Sequence, residues 1–275
     1  MSNLDPVVVE GFGQEWSRFD QSEVSQDELQ ALFEAYFSVF PWANLPPGAI
    51  GFDLGCGSGR WARFVAPRVG RLHCIDPSPA ALQIARRNLK EFSNCDFHCA
   101  SVEAIPLTDS SADFGYSLGV LHHIPDTQKG IADCVRKLKP GAPLLVYLYY
   151  AFDNRPWWFR AIWRTSNRLR SLVSKLPFPL KSLICEVIAV LVYWPLARTA
   201  WLLEKLGANV DSFPLSAYRR RSLYLMRNDA LDRFGTRLER RFTRHQIREM
   251  MHTAALERIS FGGSPYWCAV GYRTR

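Results

Sequence analysis

Ile50-Gly51-Phe52-Asp53-Leu54-Gly55-Cys56-Gly57-Ser58-Gly59 is the stretch that sets the fold of this chain. Its first half reads as a buried strand, apolar but for Asp53. Its second half is a glycine-rich turn, and Arg60-Trp61-Ala62-Arg63-Phe64 opens a helix behind it. Glycine has no Cβ, so it adopts backbone angles that other residues avoid and lets a ligand approach the main chain. Three glycines at alternate positions after a strand make a loop that can lie beneath a nucleotide-like ligand.

Downstream, strands and helices alternate. Residues 71–76 form a second strand ending in Asp76, and the helix 79–92 carries Leu82, Ala85, Leu89 and Phe92 on one face. Residues 96–100 and 112–118 are the third and fourth strands. Ile131, Cys134, Val135 and Leu138 mark the next helix, which Lys139-Pro140-Gly141 ends, and 143–150 is a nearly all-apolar fifth strand. Apolar strands alternating with helices imply a parallel sheet covered on both faces. The pattern returns near 241. Thr243 and Gln246 form a capping box, and a helix then leads to strands 256–261 and 266–272, joined through Gly262-Gly263-Ser264-Pro265. The expected fold class is α/β. It has a doubly wound, mostly parallel seven-stranded sheet of Rossmann-like type, a C-terminal antiparallel hairpin, and a helical insertion after the fifth strand.

Upstream, residues 11–20 are aromatic and read as an irregular segment able to fold over a cofactor. A helix starts at Ser25-Gln26-Asp27-Glu28, with acids suited to its dipole, and Leu29, Leu32, Phe33, Tyr36, Phe37 and Phe40 recur at helical spacing. The resulting division is an N-terminal helical and aromatic cap (1–47), a ligand-binding core (48–152), an insertion (153–240) and a C-terminal helix and strand pair (241–275).

The insertion breaks the alternation. From 155 to 205 there are nine basic residues and two acids, an excess of +7 against +8 for the whole chain of 275 residues. Five tryptophans (157, 158, 163, 194 and 201) interleave with them, and 183–203 is apolar apart from Glu186, Arg198 and a helix-breaking Pro195. Three readings stay open: a hydrophobic lid, an interfacial element on an anionic membrane, and a membrane span. None of the seven cysteines forms a Cys-x-x-Cys pair, so neither a metal site nor a disulfide framework is indicated. The N-terminus has no basic region followed by an apolar run, which makes the cytoplasm the expected address, with peripheral membrane contact through the insertion.

Asp76, ending the second strand, stands where a doubly wound sheet hydrogen-bonds the ribose of an adenosine-containing ligand. A dinucleotide fingerprint would need glycine where Arg60 stands, and a pyrophosphate would be repelled by Asp53. A ligand with an ammonium and a sulfonium suits Asp53 better. The ordered set Asp53-x-Gly55-x-Gly57-x-Gly59, Asp76, Ser101-Val102-Glu103-x-Ile105-Pro106-Leu107, Leu118-Gly119-Val120-Leu121-His122-His123-Ile124-Pro125-Asp126 and Leu138-Lys139-Pro140-Gly141 resembles class I S-adenosylmethionine-dependent methyltransferases. The likeness is to the ubiquinone/menaquinone-biosynthesis type of small-molecule enzyme.

The resemblance implies roles. Asp53, Gly55, Gly57 and Gly59 would hold the methionine part of S-adenosylmethionine. Asp76 would bind the ribose, with Pro77 beside the adenine and Ser101 and Val102 flanking it. The family often has Asp where Ser101 stands, which leaves the adenine amino group to the backbone. Leu118 would face the methyl-donor end. His122 and His123 are candidate bases for a hydroxyl acceptor. Trp157, Trp158, Arg160, Tyr218, Asp229 and Asp232 are candidate substrate-facing residues of the lid. The implied activity is methyl transfer to a small-molecule or lipid-like acceptor, oxygen favoured. One alternative is an RNA methyltransferase using the insertion's arginines, although no RNA-binding module is recognisable beside them. Another is a non-catalytic cofactor binder.

Overall fold

A computed structural model describes residues 2–153, 155–263 and 267–275. In chain order its helices are α1 (Pro6–Arg18), α2 (Gln26–Tyr36), α3 (Ala62–Val65), α4 (Pro79–Asn88), α5 (Thr127–Lys137), α6 (Trp157–Val173), α7 (Phe178–Ile188), α8 (Trp194–Lys205), α9 (Leu223–Gly235) and α10 (Arg244–Thr253). Its strands are β1 (Ile50–Leu54), β2 (Arg71–Asp76), β3 (Cys95–Cys99), β4 (Phe114–Leu118), β5 (Pro143–Tyr147), β6 (Leu256–Phe261) and β7 (Cys268–Arg273). The chain divides into two compact units. The first comprises 1–21, 29–151 and 238–275, and the second 22–28 and 152–237.

The first unit is built on one seven-stranded sheet in the order β3-β2-β1-β4-β5-β7-β6, parallel except where β7 runs antiparallel between β5 and β6. The fold class is the one the sequence implies. The expected turn at Ser264-Pro265 and the strand start at Tyr266 lie outside the described residues. At the centre, β1 and β4 interlock through two glycines. Gly51 pairs with Phe114, and Phe52 with Gly115. A Cβ on Gly51 would stand 2.2 Å from the Phe114 ring, and one on Gly115 equally close to Phe52. Each ring thus lies over its neighbour's bare backbone. The order of strands reverses between β1 and β4, and in such sheets ligands bind beyond the carboxyl ends of the strands at that switch point.

Two local expectations are corrected. Residues 11–18 are not irregular: α1 runs from Pro6 to Arg18, with the Asp5 carboxylate accepting from the Val7 and Val8 amides and Pro6 at the first turn. That is a capped start with proline where a helix tolerates it. Gly13 lets α1 lie close to α4, since a Cβ there would meet Ser78 Oγ at 2.6 Å. Pro195 does not break its helix either. The chain is helical without interruption from Phe178 to Lys205, and residues Ala189–Tyr193 form a π turn just before the proline. The wider turn absorbs the hydrogen bond and the space that a proline denies a regular helix.

The apolar face expected of α2 is core: Leu29, Leu32, Phe33, Phe37 and Phe40 are all buried. Phe33 stacks on Phe64, and Phe37 meets Tyr116 edge-on.

Within the second unit, Glu186 of α7 takes a two-pronged ion pair from Arg227 of α9, at 2.6 and 2.9 Å. Glu204 pairs with Arg219 and Arg220, and Arg198 donates to the carbonyls of Arg219 and Arg221. Arg170 is buried and bonded to the carbonyls of Thr236 and Arg237. Several arginines of the insertion are therefore engaged inside the fold.

Candidate functional site

Beyond Leu54 the chain turns through Gly55, Cys56 and Gly57. Gly55 and Gly57 have φ of +76° and +53°, a left-handed backbone that other residues adopt only under strain. Asp76, at the matching end of β2, holds this turn. Its Oδ2 accepts from the Gly57 amide and its Oδ1 from the Ser78 amide, both at 2.9 Å. Burial raises the Asp76 pKa to about 6, against the pull of those two amides. Each carboxylate oxygen keeps a second lone pair, which suits it to hydroxyl donors.

Asp53 is almost fully buried and sits beside Tyr116 in the β1–β4 register. Burial pushes its pKa up to about 8. The Tyr116 hydroxyl pulls the other way, the nearby Asp76 adds to the rise, and Arg60 opposes it. Despite that influence of Tyr116, Asp53 Oδ2 makes no well-formed hydrogen bond among the described residues. A buried carboxyl under-supplied with partners accommodates a cationic ligand group.

Trp16 of α1 lies over the turn: a Cβ on Gly57 would come within 2.8 Å of its indole. The Arg60 guanidinium lies 5.7 Å from the Trp16 ring and 4.4 Å from that of Trp61. Ser101 and Val102 open a short helical turn, tied to β2 by the Ala100 amide bonding the Asp76 carbonyl. Cys99 Sγ contacts the Pro77 carbonyl at 3.7 Å. Asp53, the glycines, Asp76, Pro77, Ser101, Val102 and Leu118 all stand at the carboxyl ends of β1 to β4 or in the segments that follow them. Gly119, after β4, has φ of +80° and nothing within 4 Å of a would-be Cβ, so the backbone is open there.

His122 and His123 follow in a short turn and are both buried. Burial, with His123 and Arg241 nearby, holds the His122 pKa well below its usual value, so its ring is neutral. That ring lies 3.8 Å from the Tyr149 ring, and neither of its nitrogens has a partner among the described residues. His123 differs: its Nδ1 is 2.7 Å from the Leu238 carbonyl. A carbonyl only accepts, so Nδ1 carries the proton and, in the neutral ring, Nε2 carries the lone pair. Phe12 meets His123 edge-on at 5.0 Å, and Arg241 lies over Tyr149 while pairing with Glu239. Phe12 and Trp16 belong to the aromatic segment that the sequence offers as able to fold over a cofactor; Tyr116, Tyr149, Glu239 and Arg241 were not legible as site residues. The one available signal was the Tyr149-Tyr150 pair ending the fifth apolar run.

The lid candidates all fall in the second unit. Trp157 and Arg160 are exposed on α6, Trp158 sits at the margin of exposure, Tyr218 rests against Tyr193, and Asp229 and Asp232 are half-buried on α9. Among the described residues no cluster of three or more His, Cys, Asp or Glu could hold a metal ion.

The methyltransferase-domain family model matches residues 52–146, the span holding Asp53, the glycine turn, Asp76 and the two histidines. Over that span the chain is similar to a methyltransferase domain. S-adenosylmethionine is the cofactor that this similarity implies, and Asp53 and Asp76 fit that ligand's positive charge and vicinal hydroxyls. Phosphoethanolamine N-methyltransferase 2 of Caenorhabditis elegans is 33% identical over 111 residues, 39% of this chain and 25% of the relative. Ubiquinone biosynthesis O-methyltransferase of Xanthomonas campestris is 28% identical over 147 residues, 53% of this chain and 62% of that one. The chain thus spans less than two thirds of either relative. A solved methyltransferase of Thermotoga maritima, described as a possible histamine N-methyltransferase, shares the fold at TM-score 0.52 and 15% identity, over 96% of this chain and 100% of that one.

Proposed function

We propose that this chain methylates a hydroxyl oxygen of a small-molecule or lipid-like acceptor. The observation that carries the reading is the buried, under-partnered Asp53 carboxyl next to a left-handed glycine turn that Asp76 clamps. S-adenosylmethionine supplies a methyl group on a sulfonium, which is already a good leaving group. The protein's task is therefore alignment and, for an oxygen acceptor, removal of a proton. Asp53 would hold the ammonium group and Asp76 the ribose hydroxyls. His123, oriented by the Leu238 carbonyl, presents the lone pair of Nε2 and is the residue proposed to take the acceptor's proton. His122, neutral and packed at a tilt against Tyr149, supports that ring and forms the wall behind it.

The test is a methylation assay on the full-length protein with phenolic, lipid-like and amine acceptors. His123→Ala should lower kcat about 10²-fold yet keep the cofactor-induced rise in Tm. His122→Ala should mainly lower stability through the cavity it leaves. Unchanged kcat in His123→Ala, or methylation confined to amines, would overturn this assignment.

A further inference from the structure

The helix running from Phe178 to Lys205 is built the wrong way round for water. Its buried stripe is mostly small: Ser182, Cys185, Ala189, Ala197 and Ala200, with Tyr193 alone being large. Its exposed stripe is large and apolar: Leu183, Val187, Val190, Leu191, Trp194 and Leu202, with Leu183 60% and Leu191 69% exposed. An aqueous surface helix does the reverse, turning its large apolar side chains to the core. Small residues between helices and large aliphatics outside is the arrangement of helices in lipid. An apolar face of this extent on one element marks a contact surface.

The helix has 28 residues and a mean hydropathy of 1.7 over its best window, long and apolar enough by length and composition to cross a membrane. Its polar bonds argue for a different posture. Glu186, Arg198 and Glu204 tie it along its length to α9 and to the segment 216–221, which carries three consecutive arginines. A span would draw those charges into hydrocarbon at heavy cost. A helix lying in the plane of the interface keeps them on the water side and immerses only its outer face.

Charge names the surface. Arg160, Arg164 and Arg168 recur at four-residue spacing on α6, so they share one face of that helix. All three are exposed, and none makes a side-chain hydrogen bond or ion pair among the described residues. With Lys175 and Lys205, also exposed, they belong to the +7 excess of 155–205. Anionic headgroups complement such a set.

We propose that the second unit docks on an anionic lipid surface. The outer face of the 178–205 helix would lie in the boundary between headgroups and acyl chains, with the α6 arginines on headgroup phosphates. The proposal stands whether or not the acceptor is itself a lipid, because it concerns adsorption and not the reaction.

The experiment is co-sedimentation of the full-length protein with vesicles of phosphatidylcholine alone and of phosphatidylcholine with phosphatidylglycerol. Pelleting should require the anionic lipid. It should fall at least tenfold in Leu183→Ser with Leu191→Ser, exposed positions where polar side chains leave the packing untouched. The triple charge reversal Arg160→Glu, Arg164→Glu, Arg168→Glu should weaken it on the order of 10²-fold. The circular dichroism spectrum and the cofactor-induced thermal shift check that each variant is folded. Absence of pelleting at low salt would overturn the proposal, as would equal pelleting of the serine variant. Displacement by a small excess of RNA would replace the lipid with nucleic acid. Resistance to alkaline carbonate extraction from cell membranes would replace in-plane docking with a span. A dimer that forms without lipid and is dissolved by the serine substitutions would replace the lipid with a second copy.

Discussion

At the scale of single residues, Asp53 makes a sharp claim about protons. With its pKa near 8, it is largely protonated at neutral pH in the ligand-free protein. A cation bound beside it favours the carboxylate, so cofactor binding should release a proton near pH 7, and affinity should rise as pH approaches about 8. Titration calorimetry in buffers of different ionisation enthalpy would count that proton, and Asp53→Asn should bind more weakly and release none. Stability runs in the opposite direction with pH. The unfolded chain loses this proton near 3.8, well before the folded one does. Its contribution is therefore complete below about pH 4 and is lost as pH rises towards 8. Asp76 acts with the same sign over the narrower window ending near 6. The ligand-free Tm should thus decline between about pH 5 and 8, and less steeply in Asp53→Asn. Both carboxylates stand out in the sequence by position: before the glycines, and at the end of the next strand. Tyr116 was not, because its hydroxyl meets Asp53 only through the pairing of strands distant in sequence. His122 and His123 read as equals in the sequence. The Leu238 carbonyl, which distinguishes them, comes from 115 residues further along the chain.

At the scale of elements, the central sheet depends on two bare backbones. Gly115→Ala would drive a methyl group into the Phe52 ring from 2.2 Å away. The overpacking should cost about 1–3 kcal/mol, read as a lower urea midpoint with an unchanged slope. An unaltered midpoint would mean that β1 and β4 separate freely, contrary to their tight register. The strands were readable because buried parallel strands are continuously apolar and end in marked turns. Helix α1 was not, because Gly11 and Gly13 lower helix propensity, and what favours Gly13 here is the close approach to α4. Asp5-Pro6 did carry the signal, as a cap followed by proline. Pro195 misled for a related reason: its consequence depends on whether the preceding turn can widen, and the π turn at Ala189–Tyr193 does.

At the scale of the whole molecule, the chain leaves the first unit and re-enters it at neighbouring points. The Ala151 amide bonds the Phe242 carbonyl at 2.9 Å, and Tyr150 bridges to the same residue. Replacing 153–237 by a short glycine–serine linker should therefore leave a folded sheet that still shows the cofactor-induced thermal shift but no longer binds vesicles. Loss of that shift in a folded excised chain would mean that the cofactor site needs the second unit. In the sequence the insertion is marked by its break in alternation and its charge. It could not show which arginines are spoken for, since Arg170, Arg198, Arg219 and Arg220 find their partners only in three dimensions. Those engaged charges have one more consequence. By apolar area alone, the long helix would gain by rolling about its axis and hiding its leucines and valines. The clasp of Glu186 with Arg227, with the bonds of Arg198 and Glu204 further along, opposes that rotation. These pairs act as a rotational lock that keeps the greasy side facing outward until something apolar arrives to cover it.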